Sequence, residues 1–460
     1  MESKQERVKK TESMATDRVC LIGAGSSGLA AAKVLHERGI PFDCFEKSSG
    51  IGGNWRYGND NGWSSAYRSL HINTSRDKMA YSDFPMPDHY PDFPHHAQIL
   101  AYFEAYVDHF GFRDTITFRT EVKRVAPRGD GTYDVTVAGP EGRTRTRRYA
   151  AVLVANGHHW CPKYPSFPGS FAGETMHSHH YRTPDGFEDG NVLVVGVGNS
   201  GCDIACEVSR VAARTFLSSR QGAHVIPKYL LGRPLDAWTT PLMSRFPLWF
   251  QRLTFSLLLT LARGPQSGYG FPTPSHRLLQ EHPTISSDLL NLIGHGRITP
   301  KPNVEWLHGD RVRFVDGTEE RIDVIVYATG YRVAFPFFEP GFMNPEGNRL
   351  PLYLHVAPPD HPNLYFIGLI QPLGAIMPLA ELQSEWVADL LEGTSGLPGE
   401  AAMRRAIARE ERAMNRRYVA SERHTMQVDY YPYERALKRA RARGRRYAPA
   451  QALRVAPAGA

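Results

Sequence analysis

The sequence predicts an α/β protein built from two Rossmann-like dinucleotide-binding domains, one inserted into the other. Three observations predict this. Two glycine-rich loops of the form Gly-x-Gly-x-x-Gly occur, Gly23-Ala24-Gly25-Ser26-Ser27-Gly28 and Gly196-Val197-Gly198-Asn199-Ser200-Gly201. Each follows a short apolar run and opens a helical pattern, the strand–turn–helix setting that separates a phosphate loop from a chance match. Apolar runs at 151–155 and 364–368, before and after the second loop's unit, read as further strands of the first sheet.

Residues 19–22 read as a short buried parallel strand, followed by a helix over 29–38 with Gly39 as its C-terminal cap. A second strand, 42–45, ends in Glu46, about 20 residues beyond the loop, the usual place for the ribose ligand. The glycines let the backbone approach a pyrophosphate, and the helix start supplies N–H donors and the positive end of its dipole. The second loop follows the strand 192–195 and opens a helix toward Arg210 that carries Asp203 in its first turns. The next strand, 215–217, ends in Ser218-Ser219-Arg220 without a carboxylate. A carboxylate there would repel a 2′-phosphate, whereas a guanidinium with two hydroxyls would hold it. Two dinucleotides suggest a flavin reduced by a nicotinamide. The first loop is therefore read as the FAD site (Gly23, Gly25, Ser26, Ser27, Gly28, Glu46). The second is read as the NADPH site (Gly196, Gly198, Asn199, Ser200, Gly201, Asp203, Ser218, Ser219, Arg220).

Between these units, 122–126 and 133–137 flank a Gly129-Asp130-Gly131 turn and read as a hairpin. The proline-rich stretch 162–168 reads as a crossover between domains. The strand 322–327 leads into Ala328-Thr329-Gly330-Tyr331, a return linker. The run at 364–368 reads as a further central strand, with a helix over about 380–392. The expected division is a disordered segment 1–16, an FAD-binding domain over 17–165 and 305–435, an NADPH-binding domain over 166–304 with an apolar insert near 229–290, and a basic tail over 436–460.

The chain has 460 residues, enough for two or three domains, and a net charge of +7, modest for that length. Much of the excess lies in 435–446, which reads as a solvated helix with a frayed tail; nucleic-acid binding is not expected. None of the five cysteines forms Cys-x-x-Cys, which argues against a disulfide reductase. Cys20 and Cys44 read as core, Cys202 and Cys206 lack a partner pair at metal-ligand spacing, and no metal is expected. The cysteine pattern and the polar N-terminus fit a cytoplasmic protein. The longest apolar stretch, 248–262, is interrupted and shorter than the roughly 18 uninterrupted residues that suggest a membrane span. It belongs to the core, to a cap over a substrate channel, or to a peripheral membrane contact. A homodimer is left open.

Beyond the loops, Phe171-Ala172-Gly173-Glu174-Thr175-Met176-His177-Ser178-His179-His180-Tyr181 matches a signature F-x-G-x-x-x-H-x-x-x-(Y/F) at every fixed position. On it the chain resembles the flavin-containing monooxygenases, class B flavoprotein oxygenases. Further matches are Gly52-Gly53-Asn54-Trp55, Tyr67 to Ser75, Ala328 to Tyr331, Leu369-Ile370-Gln371-Pro372, Glu381-Leu382-Gln383-Ser384 and His424 to Tyr430, so that the resemblance covers roughly 18–435. One departure is Glu385-Trp386, where the family often has Arg-Trp. The resemblance implies a monooxygenase that uses FAD, NADPH and O2 and oxygenates nitrogen or sulfur of a small lipophilic substrate through a C4a-(hydro)peroxyflavin. It implies Asn73 as the catalytic residue, hydrogen-bonding near the flavin and retained NADP, with Asn54, Trp55, Thr74 and Gln371 near the flavin. Trp55 either packs on the flavin or fills the core. His177 either couples the domains around NADPH or is a structural histidine; His179 and His180 are assigned to the surface. The alternative is a Baeyer–Villiger monooxygenase acting on ketones. Those enzymes usually end the signature in tryptophan, so Tyr181 argues against it.

Overall fold

The computed structural model describes residues 17–418 and 425–448. Two five-stranded sheets, each wholly parallel, form its two units. In the first, the strands run in the order Leu364–Phe366, Ala151–Val154, Val19–Ile22, Phe42–Phe45, Ile116–Thr117. In the second, they run Glu174–His177, Val324–Tyr327, Asn191–Val195, Arg214–Ser218, Ile298–Lys301. Parallel strands covered on both faces need near-continuous apolar runs, and 19–22, 151–154 and 324–327 are buried at every residue. The helix Ser26–Glu37 covers the first sheet and packs on the helix Met377–Leu391, far away in sequence. The hairpin expected between 122 and 137 is present as Glu121–Pro127 against Tyr133–Ala138, extended by Thr144–Tyr149.

The structure corrects several boundaries. The inserted unit does not end at 304. Val304–Gly309, Arg311–Phe314 and Glu319–Arg321 form an antiparallel meander, and Gly169–Phe171 adds to Val304–Gly309 in parallel. Val324–Tyr327 then lies inside the second sheet, between Glu174–His177 and Asn191–Val195. The chain crosses back only after Tyr327, where Tyr331–Arg332 pairs antiparallel with the outgoing Cys161–Pro162. A buried parallel strand looks the same in sequence whichever sheet it joins, so only pairing could place it. Leu364–Phe366 is buried but stands at the edge of its sheet, not at the centre.

The basic segment forms the expected helix, but that helix is packed on one face and not wholly solvated. Tyr430–Gly444 is one helix that buries Tyr433 and Leu437 against Met377–Leu391. Arg441 on it pairs with Asp389 and with Glu385, the residue at which the family match breaks. That departure is thus compensated by a charge of opposite sign. Segments 1–16 and 449–460, for which disorder and a tail were expected, lie outside the described residues, as does His424 of the C-terminal family match.

The apolar stretch forms the helix Leu248–Arg263, and it is not a core helix. Only Leu259 is buried, in a small cluster with Ile226, Leu230, Leu278 and Ile285. Trp249, Leu253, Leu257 and Leu261 face solvent and are 57–72% exposed. Their spacing of four residues puts them on one stripe.

Candidate functional site

The first loop is shaped by steric demands that two of its glycines meet. Gly23 has φ +99°, and a Cβ there would stand 2.7 Å from the Ala155 carbonyl oxygen. A Cβ on Gly28 would stand 1.9 Å from the Gly23 oxygen, so helix and turn touch backbone to backbone. Gly25 is different. Its φ of −79° suits any residue, and the nearest atom to an added Cβ is Gly53 Cα at 3.7 Å. The fold does not require glycine here; a group lying over the backbone would. Ser26 and Ser27 open a helix that has no side-chain cap, which leaves its N-terminal dipole end facing this cradle.

Glu46 is buried across the loop. Its Oε2 accepts from Ala24 N–H at 2.7 Å, and its Oε1 accepts from Ser48 N–H and Oγ at 2.8 and 2.7 Å. A carboxylate offers about four acceptor positions, so a ribose hydroxyl can still be accommodated. Asn54 Oδ1 accepts from Ser65 N–H and Oγ at 2.7 and 2.9 Å, and Trp55 packs, half-buried, against the core of the first unit. The late segment arrives at the same place. A Cβ on Gly368 would stand 1.9 Å from Ser27 Oγ, and three residues on Gln371 begins a short strand paired with Gln427–Asp429. Asn73 and Thr74 are half-buried. Asn73 Oδ1 is fully buried and has no hydrogen-bond partner among the described residues. Such an orphaned acceptor is costly unless a ligand satisfies it.

The second loop repeats the design of the first. Gly196 has φ +114° and lies against the Ala328 carbonyl, where a Cβ would come within 2.4 Å; a Cβ on Gly201 would meet the Gly196 oxygen at 2.0 Å. Gly198 caps the helix Asn199–Val208, with Ser200 in its first turn. Three expected ligands make side-chain bonds within the protein. Ser218 is buried and its Oγ donates to the Pro302 carbonyl at 2.6 Å, so its hydroxyl is not a phosphate ligand. The reason is the parallel pairing of 214–218 with 298–301, which carries Pro302 beneath it. Asn199 Oδ1 accepts from Ile285 N–H at 2.8 Å. Asp203 accepts a hydrogen bond from Tyr67 of the first unit, and burial raises its carboxyl to about 6. Of the trio after the strand, Ser219 is half-buried and Arg220 is exposed, with no side-chain bond among the described residues. It is an exposed cation at the end of this strand, where the 2′-phosphate contact is expected. We expect Arg220→Ala to lower the preference for NADPH over NADH by roughly ten- to a hundredfold, the worth of one charge-assisted contact. The loss should fall on the NADPH KM, and steady-state kinetics with both nucleotides check it.

The signature segment forms the seam between the units. His177 is buried, its Nδ1 accepts from His179 N–H at 3.1 Å, and burial lowers its pKa to about 4, so it is neutral near pH 7. His179, assigned to the surface from sequence, is buried; its Nε2 meets the Gly62 carbonyl oxygen at 3.0 Å. His180 is exposed as expected. Tyr181 donates to Glu207 at 2.8 Å and packs edge-on to Tyr67. Arg182 then donates to the Ser64 carbonyl oxygen at 2.9 Å, while Arg68 N–H donates to the Arg182 carbonyl oxygen at 2.8 Å. Tyr331 from the return linker touches both His177 and His179 with its ring. Sequence reading missed Tyr67, His179 and Tyr331 as seam residues. Their only signal was membership of matched segments.

A family model described as flavin-binding monooxygenase-like matches residues 16–441. The chain belongs to this family. It is a flavin-dependent monooxygenase whose cofactors are FAD and NADPH, and the two cradles fit them. Among curated relatives, rabbit (Oryctolagus cuniculus) flavin-containing monooxygenase 5 is 40% identical over 91% of this chain and 81% of its own length. The rat (Rattus norvegicus) N-oxide-forming dimethylaniline monooxygenase 2 is 36% identical over 90% of this chain and 81% of its own. Among solved structures, S-allyl-L-cysteine S-oxygenase from Allium sativum is 27% identical, with a TM-score of 0.71, over 93% of this chain and 89% of that one.

Proposed function

We propose that this monooxygenase oxygenates nitrogen or sulfur in small lipophilic molecules. The observation that carries the reading is Asn73, whose buried, unpartnered Oδ1 lies on a segment tied to both units. An amide both donates and accepts but does not titrate. It can orient a reacting group without acid–base chemistry, which suffices when the substrate atom is itself a nucleophile. Bound FAD, reduced by NADPH, supplies the activation of O2. The protein's part is to hold the two nucleotides, place Asn73 and keep water out. The names of two relatives, an N-oxide-forming enzyme and an S-oxygenase, support this substrate class. Product analysis on a thioether, a tertiary amine and a cyclic ketone tests it. Sulfoxide and N-oxide should approach one per NADPH consumed, with little ester from the ketone. Ester as the main product would favour the Baeyer–Villiger reading.

The enzyme's place is proposed to be the cytoplasm, with the Leu248–Arg263 stripe resting on an anionic membrane surface. Among the described residues no helix is long and apolar enough to cross a membrane. The stripe is rimmed by cations, however. Arg245 and Arg277 are exposed near it, and Arg435 of the basic helix donates to Ser244 at 2.9 Å, whereas Arg252 bonds the Leu278 carbonyl oxygen and Arg417 pairs with Asp429. Each buried aromatic or leucine side chain contributes about 1.5–3 kcal/mol, and basic residues near anionic lipid about 1 kcal/mol each. The protein should float with phosphatidylglycerol vesicles and not with phosphatidylcholine vesicles. Trp249→Glu with Leu253→Glu should abolish flotation while oxygenation in solution persists. A wild type that ignores both vesicles, or that dimerises through this stripe instead, would remove the proposal.

A further inference from the structure

The insert reaches back over the first unit and grips the chain on both sides of Asn73. Its segment 228–236 is a tight hairpin, Tyr229–Leu230 against Arg233–Pro234, closed by Leu235 N–H donating to the Lys228 carbonyl oxygen at 2.8 Å. Leu230 is buried, and Trp238 Nε1 donates to its carbonyl oxygen at 3.2 Å, so the hairpin is anchored in the insert's own core. From this base three side chains extend outward. Lys228 Nζ donates to the Ile72 carbonyl oxygen at 3.1 Å. Asp236 Oδ2 accepts from Ser75 N–H at 2.7 Å. Tyr229 OH donates to Asp92 at 2.9 Å, and its ring meets Phe93 edge-on.

The two bonds to the backbone bracket Asn73-Thr74. The opposite side of the same segment is held by 92–94: Ile72 N–H donates to the Pro94 carbonyl oxygen at 3.0 Å and Arg76 N–H to the Asp92 carbonyl oxygen at 2.8 Å. The segment is thus clamped between its own unit and the insert, and the insert sits in the unit that holds the nicotinamide nucleotide. The Lys228 ammonium lies over the Phe93 ring, largely desolvated, which lowers its pKa against the opposing pull of Asp203 and Asp288. Burying a cation in this way is costly unless it finds a partner. Here the backbone carbonyl beside Asn73 is that partner.

We propose that the hairpin 228–236 is a positioning strap, in which Lys228 and Asp236 set the placement of Asn73 and couple it to the NADPH-binding unit. The inference rests on the reading of Asn73 given under Proposed function. Neither strap residue is a catalytic residue. Each acts through the backbone it holds.

The test uses the FAD-loaded enzyme and two independent readouts. The first is hydrogen exchange of the amides in residues 70–76. The second is hydrogen peroxide released per NADPH oxidised, alongside the rate of anaerobic flavin reduction. Lys228→Met keeps the stem and removes the donor; Asp236→Ala removes the acceptor. Both should speed exchange in 70–76 on the order of tenfold or more, as expected for a lost charge-assisted bond. Both should raise peroxide severalfold with flavin reduction unchanged. Lys228→Arg and Asp236→Asn, which retain a donor and an acceptor, should stay near wild type in both readouts. Unchanged exchange in Lys228→Met and Asp236→Ala would overturn the strap. So would faster exchange without peroxide release, in an enzyme whose Asn73→Ala variant does release it. If Asn73→Ala itself keeps oxygen coupled to product, the reading of Asn73 fails. The exchange measurement, which does not depend on that reading, still decides whether the hairpin holds the segment.

Discussion

Gly25→Val should yield a folded protein that has lost its FAD. The valine is sterically acceptable to the chain, since Gly25 has φ −79° and the nearest atom to a Cβ is 3.7 Å away. Its side chain instead fills the space over the loop where the pyrophosphate would lie. Losing two charge-assisted N–H contacts costs about 3–6 kcal/mol, roughly a hundred- to ten-thousandfold in affinity. Flavin absorbance per protein should fall to near zero, while the thermal midpoint of the stripped protein stays close to that of stripped wild type. Gly28→Ala supplies the contrast. Its Cβ would press on the Gly23 carbonyl oxygen at 1.9 Å, so stability itself should fall before any nucleotide is added. A Gly25→Val protein that keeps one FAD per chain would place the flavin elsewhere.

Asn73→Ala should divert oxygen to hydrogen peroxide while leaving reduction by NADPH intact. A buried, positioned hydrogen bond is worth about 1–3 kcal/mol, so product per NADPH should fall roughly five- to a hundredfold. The ligand-free protein should behave in the opposite sense. There Asn73 Oδ1 is a buried acceptor with no partner, and removing it should leave the thermal midpoint unchanged or raise it. Loss of coupling together with retained stability is the signature of a residue kept for the reaction. Paired assays of product and peroxide, with melting curves of ligand-free protein, check both halves. Normal coupling in the variant would take Asn73 out of the reaction.

Much of the site could be read before any coordinates. The glycine loops, Glu46 and the flanking strands depend on local rules: period, turn chemistry and the separation between loop and acid. Those rules act over about thirty residues, and within that range the elements fall where expected. The helix after the first loop spans Ser26–Glu37 and the one after the second Asn199–Val208. The misreadings share a cause. Ser218 sits in the right register for a phosphate but spends its hydroxyl on Pro302, more than eighty residues on. His179 looks like one of three polar neighbours and is buried because residue 62 of the other unit covers it. For the 248–263 helix, which the sequence left between core, cap and membrane contact, the fold removes the core option by offering a buried neighbour to only one of its faces.

The sequence by itself determined two nucleotide cradles, the order of their domains and the family, and through that family's motif it singled out Asn73 for test. Each is carried by a contiguous motif whose physical demand is local. Tertiary structure alone decided that Val324–Tyr327 belongs to the second sheet, that Glu385 is balanced by Arg441, and that a hairpin of the insert holds Ile72 and Ser75 on either side of Asn73. These are pairings between segments tens to hundreds of residues apart. Which partner a buried strand, a charge or a backbone amide finds is set by what else is packed beside it, and no local pattern encodes that.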